Sequence, residues 1–215
     1  MLNTQNTSPK ITEYDLDMLC EIGNIGAGHA ASALSVMLNQ KISIEITFAR
    51  LCSLKNIPEL LGGAEAIKNV TYNEIYNAIE GHIFFVLNDK DVETICNIAA
   101  YGYEIDNESV IVEVTNIITG SYISALAEMI DEPIDQKVPT LVRAELGTIL
   151  NSVLEKDKAE MADKTLIVGT NLIIKDIELE PGLVVEDFHI SGLYAMTLKQ
   201  KSLDKLLEKF NADRK

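Results

Sequence analysis

The sequence contains the same segment twice. Residues 17–47 align with residues 109–139 at a fixed offset of 92, so that Glu21 falls on Glu113. Nine of the thirty-one pairs are identical: Glu21/Glu113, Asn24/Asn116, Ile25/Ile117, Gly28/Gly120, Ser32/Ser124, Ala33/Ala125, Leu34/Leu126, Met37/Met129 and Ile42/Ile134. Self-similarity on this scale marks a duplicated supersecondary unit. The later parts of the halves also correspond. GHIFFVLNDKDVETI (residues 81–95) and GLYAMTLKQKSLDKL (residues 192–206) each read as a strand followed by a helix. The extra residues of the second half lie around 146–175. The expectation is a single domain with pseudo-twofold symmetry, built from half-repeats 11–102 and 103–215, with residues 1–10 as a flexible tail.

Composition narrows the function. The 215 residues are 47% apolar, enough to bury a core, and carry a net charge of -15. So acidic a chain repels phosphates and anionic lipids, which argues against nucleic acid or a membrane as partner. The N-terminus reads as no signal segment, and no apolar stretch reads as a membrane span. Three cysteines, Cys20, Cys52 and Cys96, form no CxxC pair and suit a reducing, cytoplasmic setting.

Local patterns place the elements. Thr12, with Asp15 three residues on, reads as a capping box opening a helix that runs to about Leu38. Residues 41–49 alternate as a strand, and residues 56–63 read as a short helix. Strands follow at 70–79 and 82–87, then a helix over 89–100 ended by Gly102. The second half repeats the order: helix 109–130, extended 135–141, helix 144–155, strand 165–180, a Pro181-Gly182 turn, strands 183–188 and 193–198, and a last helix capped by Ser202.

At about 100° per residue, Asp17, Glu21, Asn24 and Gly28 share one stripe, as do Ser109, Glu113, Asn116 and Gly120. Opposite sit Leu19, Ile22, Gly26, Ala30, Ala33 and Met37, with counterparts Ile111, Val114, Ile118, Tyr122, Ala125 and Met129. The apolar side is expected to be core and the Glu/Asn stripe to face outward. A solvated face explains one such stripe. Two copies with the same residue types point to use, because Asn is a mediocre helix former. The glycines cost helix stability and leave either close packing or room for a partner.

A Glu and an Asn three residues apart lie on the order of 5–6 Å from one another at Cβ. The stripe holds no nucleophile–base pair, and a lone carboxylate beside an amide is a poor metal cage. His29, His82 and His189 have no metal-ligand spacing. Asn does not titrate, but its amide can hold a water while Glu pairs with a cation on a partner. Placing a water is the main task in phosphoryl hydrolysis. A rival motif, GxGxxA at residues 26–31 with Glu45 beyond it, matches a dinucleotide fingerprint, but that needs a strand before the first glycine. Helix is expected there instead, and the second copy lacks the pattern.

These residues resemble the CheC-type chemotaxis phosphatases, a group that includes CheX and FliY, and most of all its two-site CheC members. The family motif is Asp or Ser, three residues, Glu, two residues, Asn, twenty-two residues, Pro. Ser109, Glu113, Asn116 and Pro139 match it in full, whereas Asp17, Glu21 and Asn24 are followed by Thr47 in place of Pro. The resemblance covers the chain from about residue 11 onward. It implies an α+β fold with a mainly antiparallel sheet packed by helices. It also implies hydrolysis of the aspartyl phosphate on a CheY-like response regulator. Asn24 and Asn116 would orient the water, and Glu21 and Glu113 would engage the regulator. Asp17, Ser109 and Pro139 would shape the sites. No cofactor of its own is implied, since the Mg2+ belongs to the regulator. The second site is expected to be the stronger. The deamidase CheD is a further implied partner; the apolar helix around 145–155 is the candidate for that contact, although it reads first as an ordinary core-packing helix. The competing reading is a non-catalytic adaptor for CheD or the flagellar switch, although no flagellar-motor module is visible after Phe210. A monomer is expected, since duplication already supplies internal symmetry.

Overall fold

A computed structural model describes residues 12–60, 62–100, 104–155, 157, 159–175, 177–180, 183–185 and 188–212. The expected N-terminal tail, the stop at Gly102 and the Pro181-Gly182 turn lie outside them. The first half contains α1 (Glu13–Leu38), β1 (Lys41–Ser53), a single 3-10 turn (Leu54–Asn56), α2 (Ile57–Leu60), β2 (Ile67–Asn77), β3 (Gly81–Leu87) and α3 (Asp89–Ala100). The second contains α4 (Asn107–Ile130), β4 (Ile134–Gln136), β5 (Thr140–Glu145), α5 (Leu146–Leu154), β6 (Met161–Lys175), β7 (Ile177–Glu180), β8 (Leu183–Val185), β9 (Phe188–Lys199) and α6 (Gln200–Ala212).

The fold is α+β, with an antiparallel sheet ordered β1-β6-β9-β3-β2-β4 and β5 also paired to β2. Exchanging the halves turns β1 into β4 and β5, β6 into β2, and β9 into β3. The strand order survives that exchange. The two long helices also end alike. Asn39 and Asp131, 92 residues apart, both adopt left-handed conformations with φ of 49° and 53°. The following amides, of Gln40 and Glu132, donate back to the carbonyls of Ser35 and Ala127, each at 3.2 Å. This is the Schellman geometry, which satisfies carbonyls left open at a helix end. Thr12 caps α1 as expected: its hydroxyl accepts from the Asp15 amide at 3.3 Å, and Asp15 Oδ2 accepts from the Thr12 amide at 2.7 Å.

Strand alternation divides the core between the sheet's two faces. From β3, Ile83, Phe85 and Leu87 join a large cluster with α1, α3, α4 and α6, while Phe84 and Val86 join a smaller one with α2 and α5. Buried on both sides, β3 reads as a continuous apolar run, as central strands do. The helix pair α1–α4 closes over the large cluster. A Cβ on Gly26 would lie 2.9 Å from the Tyr122 Cα, and one on Gly23 would lie 2.9 Å from the Ile46 side chain. The close-packing glycines are therefore 23 and 26 rather than Gly28, where a Cβ would meet nothing within 4 Å.

Several expectations are corrected. Ala33 is exposed, although its counterpart Ala125 is buried. The buried row of α1 steps four residues at a time through Gly26, Ala30, Leu34 and Leu38, so it slides about 40° per step around a 3.6-residue helix. By the fourth turn it has left Ala33 behind. Ser202 is the third residue of α6 rather than its cap, and its hydroxyl accepts from the Glu80 amide at 2.9 Å. Residues 188–199 form one strand. Gly192 does not interrupt it, because the missing side chain admits the Phe85 ring. The extended segment expected at 135–141 is split, with β4 and β5 separated at residues 137–139. Against the expectation that no stretch could span a membrane, α4 is long and apolar enough by length and composition. Half of its most apolar window is buried inside the protein.

Asp89 ties α3 to the sheet. Its carboxylate accepts from Arg143 Nε at 3.0 Å, from the other guanidinium arm at 2.7 Å and from Asn69 Nδ2 at 2.7 Å. The Arg143 hydrogen bonds, and then that of Asn69, hold its pKa down at about 2. Since the ionised form is favoured in the folded chain, this tether acts above about pH 4 and is lost as pH falls towards 2. Arg143→Ala should move the Asp89 titration up towards about 4, as read by carboxyl NMR. A second pair of substitutions tests the helix packing. Gly26→Ala should destabilise by about 1–3 kcal/mol through overpacking. Gly28→Ala should stabilise by up to about 1 kcal/mol through helix propensity. Denaturant midpoints at constant slope report both.

Candidate functional site

The Glu/Asn stripes lie where the helix packing leaves them. With Leu19, Ile22, Gly26 and Ala30 turned into the core, Asp17, Glu21, Asn24 and Gly28 are exposed on α1. With Ile111, Val114, Ile118 and Tyr122 buried on α4, Ser109 and Glu113 are exposed, whereas Asn116 and Gly120 are half-buried. Neither carboxamide is sealed in the interior. Among the described residues Glu21, Asn24 and Glu113 make no side-chain hydrogen bond or ion pair, so all three are available to a partner. The GxGxxA segment lies wholly inside α1, which removes the strand that a dinucleotide fingerprint requires.

The two sites differ in their surroundings. Asn116 Oδ1 accepts a hydrogen bond from Gln136 Nε2 at 3.0 Å, and the same Nε2 reaches the Asn116 backbone carbonyl at 3.4 Å. Gln136 Oε1 in turn accepts from Asn73 Nδ2 at 3.0 Å. Asn73 is almost fully buried on β2. Gly120 faces this group: a Cβ there would stand 3.3 Å from Gln136 Nε2, whereas the space beside Gly28 is open. Sequence reasoning missed Gln136 and Asn73. The available signal was the mismatch between copies, because the position equivalent to Gln136 is Ile44.

The supporting residues have definite structural places. Ser109 belongs to the N-terminal cap of α4. Its amide donates to Asp106 Oδ2 at 3.3 Å, and its hydroxyl bonds the same oxygen, which holds the Asp106 carboxyl below its usual range. Pro139 is buried in the break between β4 and β5, where its lack of an N–H cannot spoil a ladder. Its counterpart Thr47 keeps β1 continuous but sits at a register shift between Ile46 and Phe48. A bulge thus replaces a break. Gly169 accommodates that bulge, since a Cβ there would fall 2.4 Å from the Phe48 ring and 2.6 Å from Thr47 Oγ1. The apolar side of α5 packs into the smaller core through Leu146, Ile149, Leu150 and Leu154, the core-packing reading of that helix.

The stripes are surface rather than cleft. A groove of about 540 Å3 runs between α2 and α5, and one of about 500 Å3 lies beside His82 and Asp157. Neither is lined by Glu21, Asn24, Glu113 or Asn116. Small-molecule sites are concave and largely enclosed, so an open helix face suits a macromolecular partner.

The molecule is thus an antiparallel sheet under a helix pair that bears twin Glu-Asn stripes. The CheC-like family model matches residues 15–45 and 107–143, the two segments that carry the stripes. Over these two segments the chain is similar to the CheC/FliY family. Among its relatives is the CheY-P phosphatase CheC of Bacillus subtilis, 29% identical over 171 residues, with 75% of this chain and 81% of that protein covered. Another is the flagellar motor switch phosphatase FliY of the same organism, 26% identical over 211 residues. That match takes in 94% of this chain but only 52% of FliY, so the chain spans about half of that relative's length. The fold is similar to Thermotoga maritima FliY, with a TM-score of 0.70, 22% identity and 95% and 99% of the two chains covered. It is also similar to the FliM middle domain from H. pylori, with a TM-score of 0.63, 10% identity and 93% and 99% covered.

Proposed function

We propose that this protein is a chemotaxis phosphatase that hydrolyses the aspartyl phosphate of a CheY-like response regulator. The observation that carries the reading is the outward placement of both Glu-Asn pairs on an open helix face, with Glu21, Asn24 and Glu113 exposed and Asn116 half-buried. Each pair supplies a carboxylate and a carboxamide, and the one hydroxyl on these stripes, that of Ser109, is bonded to Asp106. Similarity to the CheY-P phosphatase CheC and to FliY supports the same activity.

In this reading the regulator docks its phosphorylated aspartate against α1 or α4. Asn24 or Asn116 enters and holds one water in line with the phosphorus: the amide oxygen accepts a hydrogen bond from the water, whose orientation is fixed before attack. The gain is positional, because a reactant held in place loses little further freedom at the transition state. Glu21 or Glu113 pairs with a cation of the regulator and sets the docking register. Mg2+, where the reaction uses it, would be held by the regulator and would shield phosphate charge there. Ser109 and Pro139 act at one remove: one by fixing the start of α4, the other by ending β4 where Gln136 meets Asn116.

The test is decay of the phosphorylated regulator in the presence of the protein. Wild type should accelerate it. Asn116→Ala should slow the accelerated rate more than Asn24→Ala does, since each leaves the other site in action, and loss of both carboxamides should cost on the order of 10²-fold. The double variant should return decay to the regulator's own rate. Acceleration surviving in the double variant would refute the assigned residues. If wild type binds the regulator without accelerating decay, the adaptor reading replaces this one.

A further inference from the structure

We infer that Gln136 is a positioning residue that locks the Asn116 carboxamide in one orientation, making the α4 site preorganised and leaving the α1 site loose. The inference deepens the phosphatase reading and rests on it for its kinetic consequence, but the geometry stands on its own.

The orientation of three amides follows from one backbone atom. A main-chain carbonyl can only accept, so the Gln136 end that reaches the Asn116 carbonyl at 3.4 Å has to be the NH2. The Asn116 side-chain atom 3.0 Å from that NH2 must then be an acceptor, Oδ1. The other end of Gln136 is an oxygen and needs a donor, which Asn73 Nδ2 supplies at 3.0 Å. Asn73 is 2% exposed and cannot swing away. The relay Asn73–Gln136–Asn116 is therefore directional. It fixes which edge of Asn116 faces inward and leaves the NH2 and one lone pair of Oδ1 for an incoming water.

The α1 site has no such clamp. Ile44 stands at the position of Gln136 and has no hydrogen to donate. Asn24 is exposed and makes no side-chain hydrogen bond among the described residues. It must be ordered each time a regulator docks, at the cost of side-chain entropy. The two stripes share their reacting residues and differ in how those residues are held.

Gln136→Met tests this, since Met keeps the length of the side chain and donates no hydrogen bond. Side-chain NH2 relaxation of Asn24 and Asn116 is measured first. In wild type Asn116 should be the more ordered of the two, and in Gln136→Met it should fall to the level of Asn24. Equal mobility in wild type, or no change on substitution, overturns the inference whatever the activity. Kinetics follow in an Asn24→Ala background, where only the α4 site acts. There Gln136→Met should lower kcat about three- to tenfold, the worth of one neutral hydrogen bond, with KM little changed. An unchanged kcat overturns the positioning role, as does a loss confined to KM. Absence of any wild-type activity would refute the phosphatase reading alone, because the NMR comparison still decides on Gln136.

Discussion

The close approach of α1 and α4 is the constraint on which the rest depends. Gly26 lets the backbone of Tyr122 come within what would be van der Waals overlap with any side chain, and Gly23 gives the same room to the Ile46 side chain on β1. Behind this contact, Tyr122 stacks on Tyr194 with ring centroids 4.9 Å apart, and Thr71 bonds Thr115 across 3.0 Å to tie α4 to β2. Once these faces are committed to the core, a helix of 3.6 residues per turn has no freedom over what it shows outside. The outward direction of Glu21, Asn24, Glu113 and Asn116 follows from the packing of the opposite side.

Much of this was legible in the sequence because the duplication is written at fixed spacing. An offset of 92 fixes equivalent stripes, equivalent buried faces and equivalent helix ends, and the left-handed Asn39 and Asp131 fall at that same offset. What was not legible depends on neighbours distant in the chain. The position of Thr47 and Pro139 could be read as a departure, but whether Thr would bend the strand or merely replace Pro is decided by Gly169 on β6, which gives the bulge its space. Gln136 stands sixty-three residues from Asn73 in sequence, and nothing local says that they touch. Helix α5 shows a strong apolar side that reads first as core, with a docking face as the alternative. Only the second cluster, built around Phe84 and Val86, decides for core.

The same reasoning explains why a duplicated unit need not give duplicated sites. Helix packing conserves the direction of a side chain, because direction is set by its own helix. It does not conserve the hydrogen bonds that the side chain receives, because these come from the following strand. In the second half that strand is broken at Pro139 and brings Gln136 to Asn116. In the first half it runs unbroken through Thr47 and places Ile44 at the equivalent position, partly buried against the large core. A carboxamide contributes no charge and no proton, so its usefulness lies in where its two polar atoms point. An unclamped amide samples both orientations, and one held by a directional relay presents the same edge to every partner. On these grounds the difference between Gln136 and Ile44, rather than any difference in the Glu-Asn pairs, separates the two faces of the molecule.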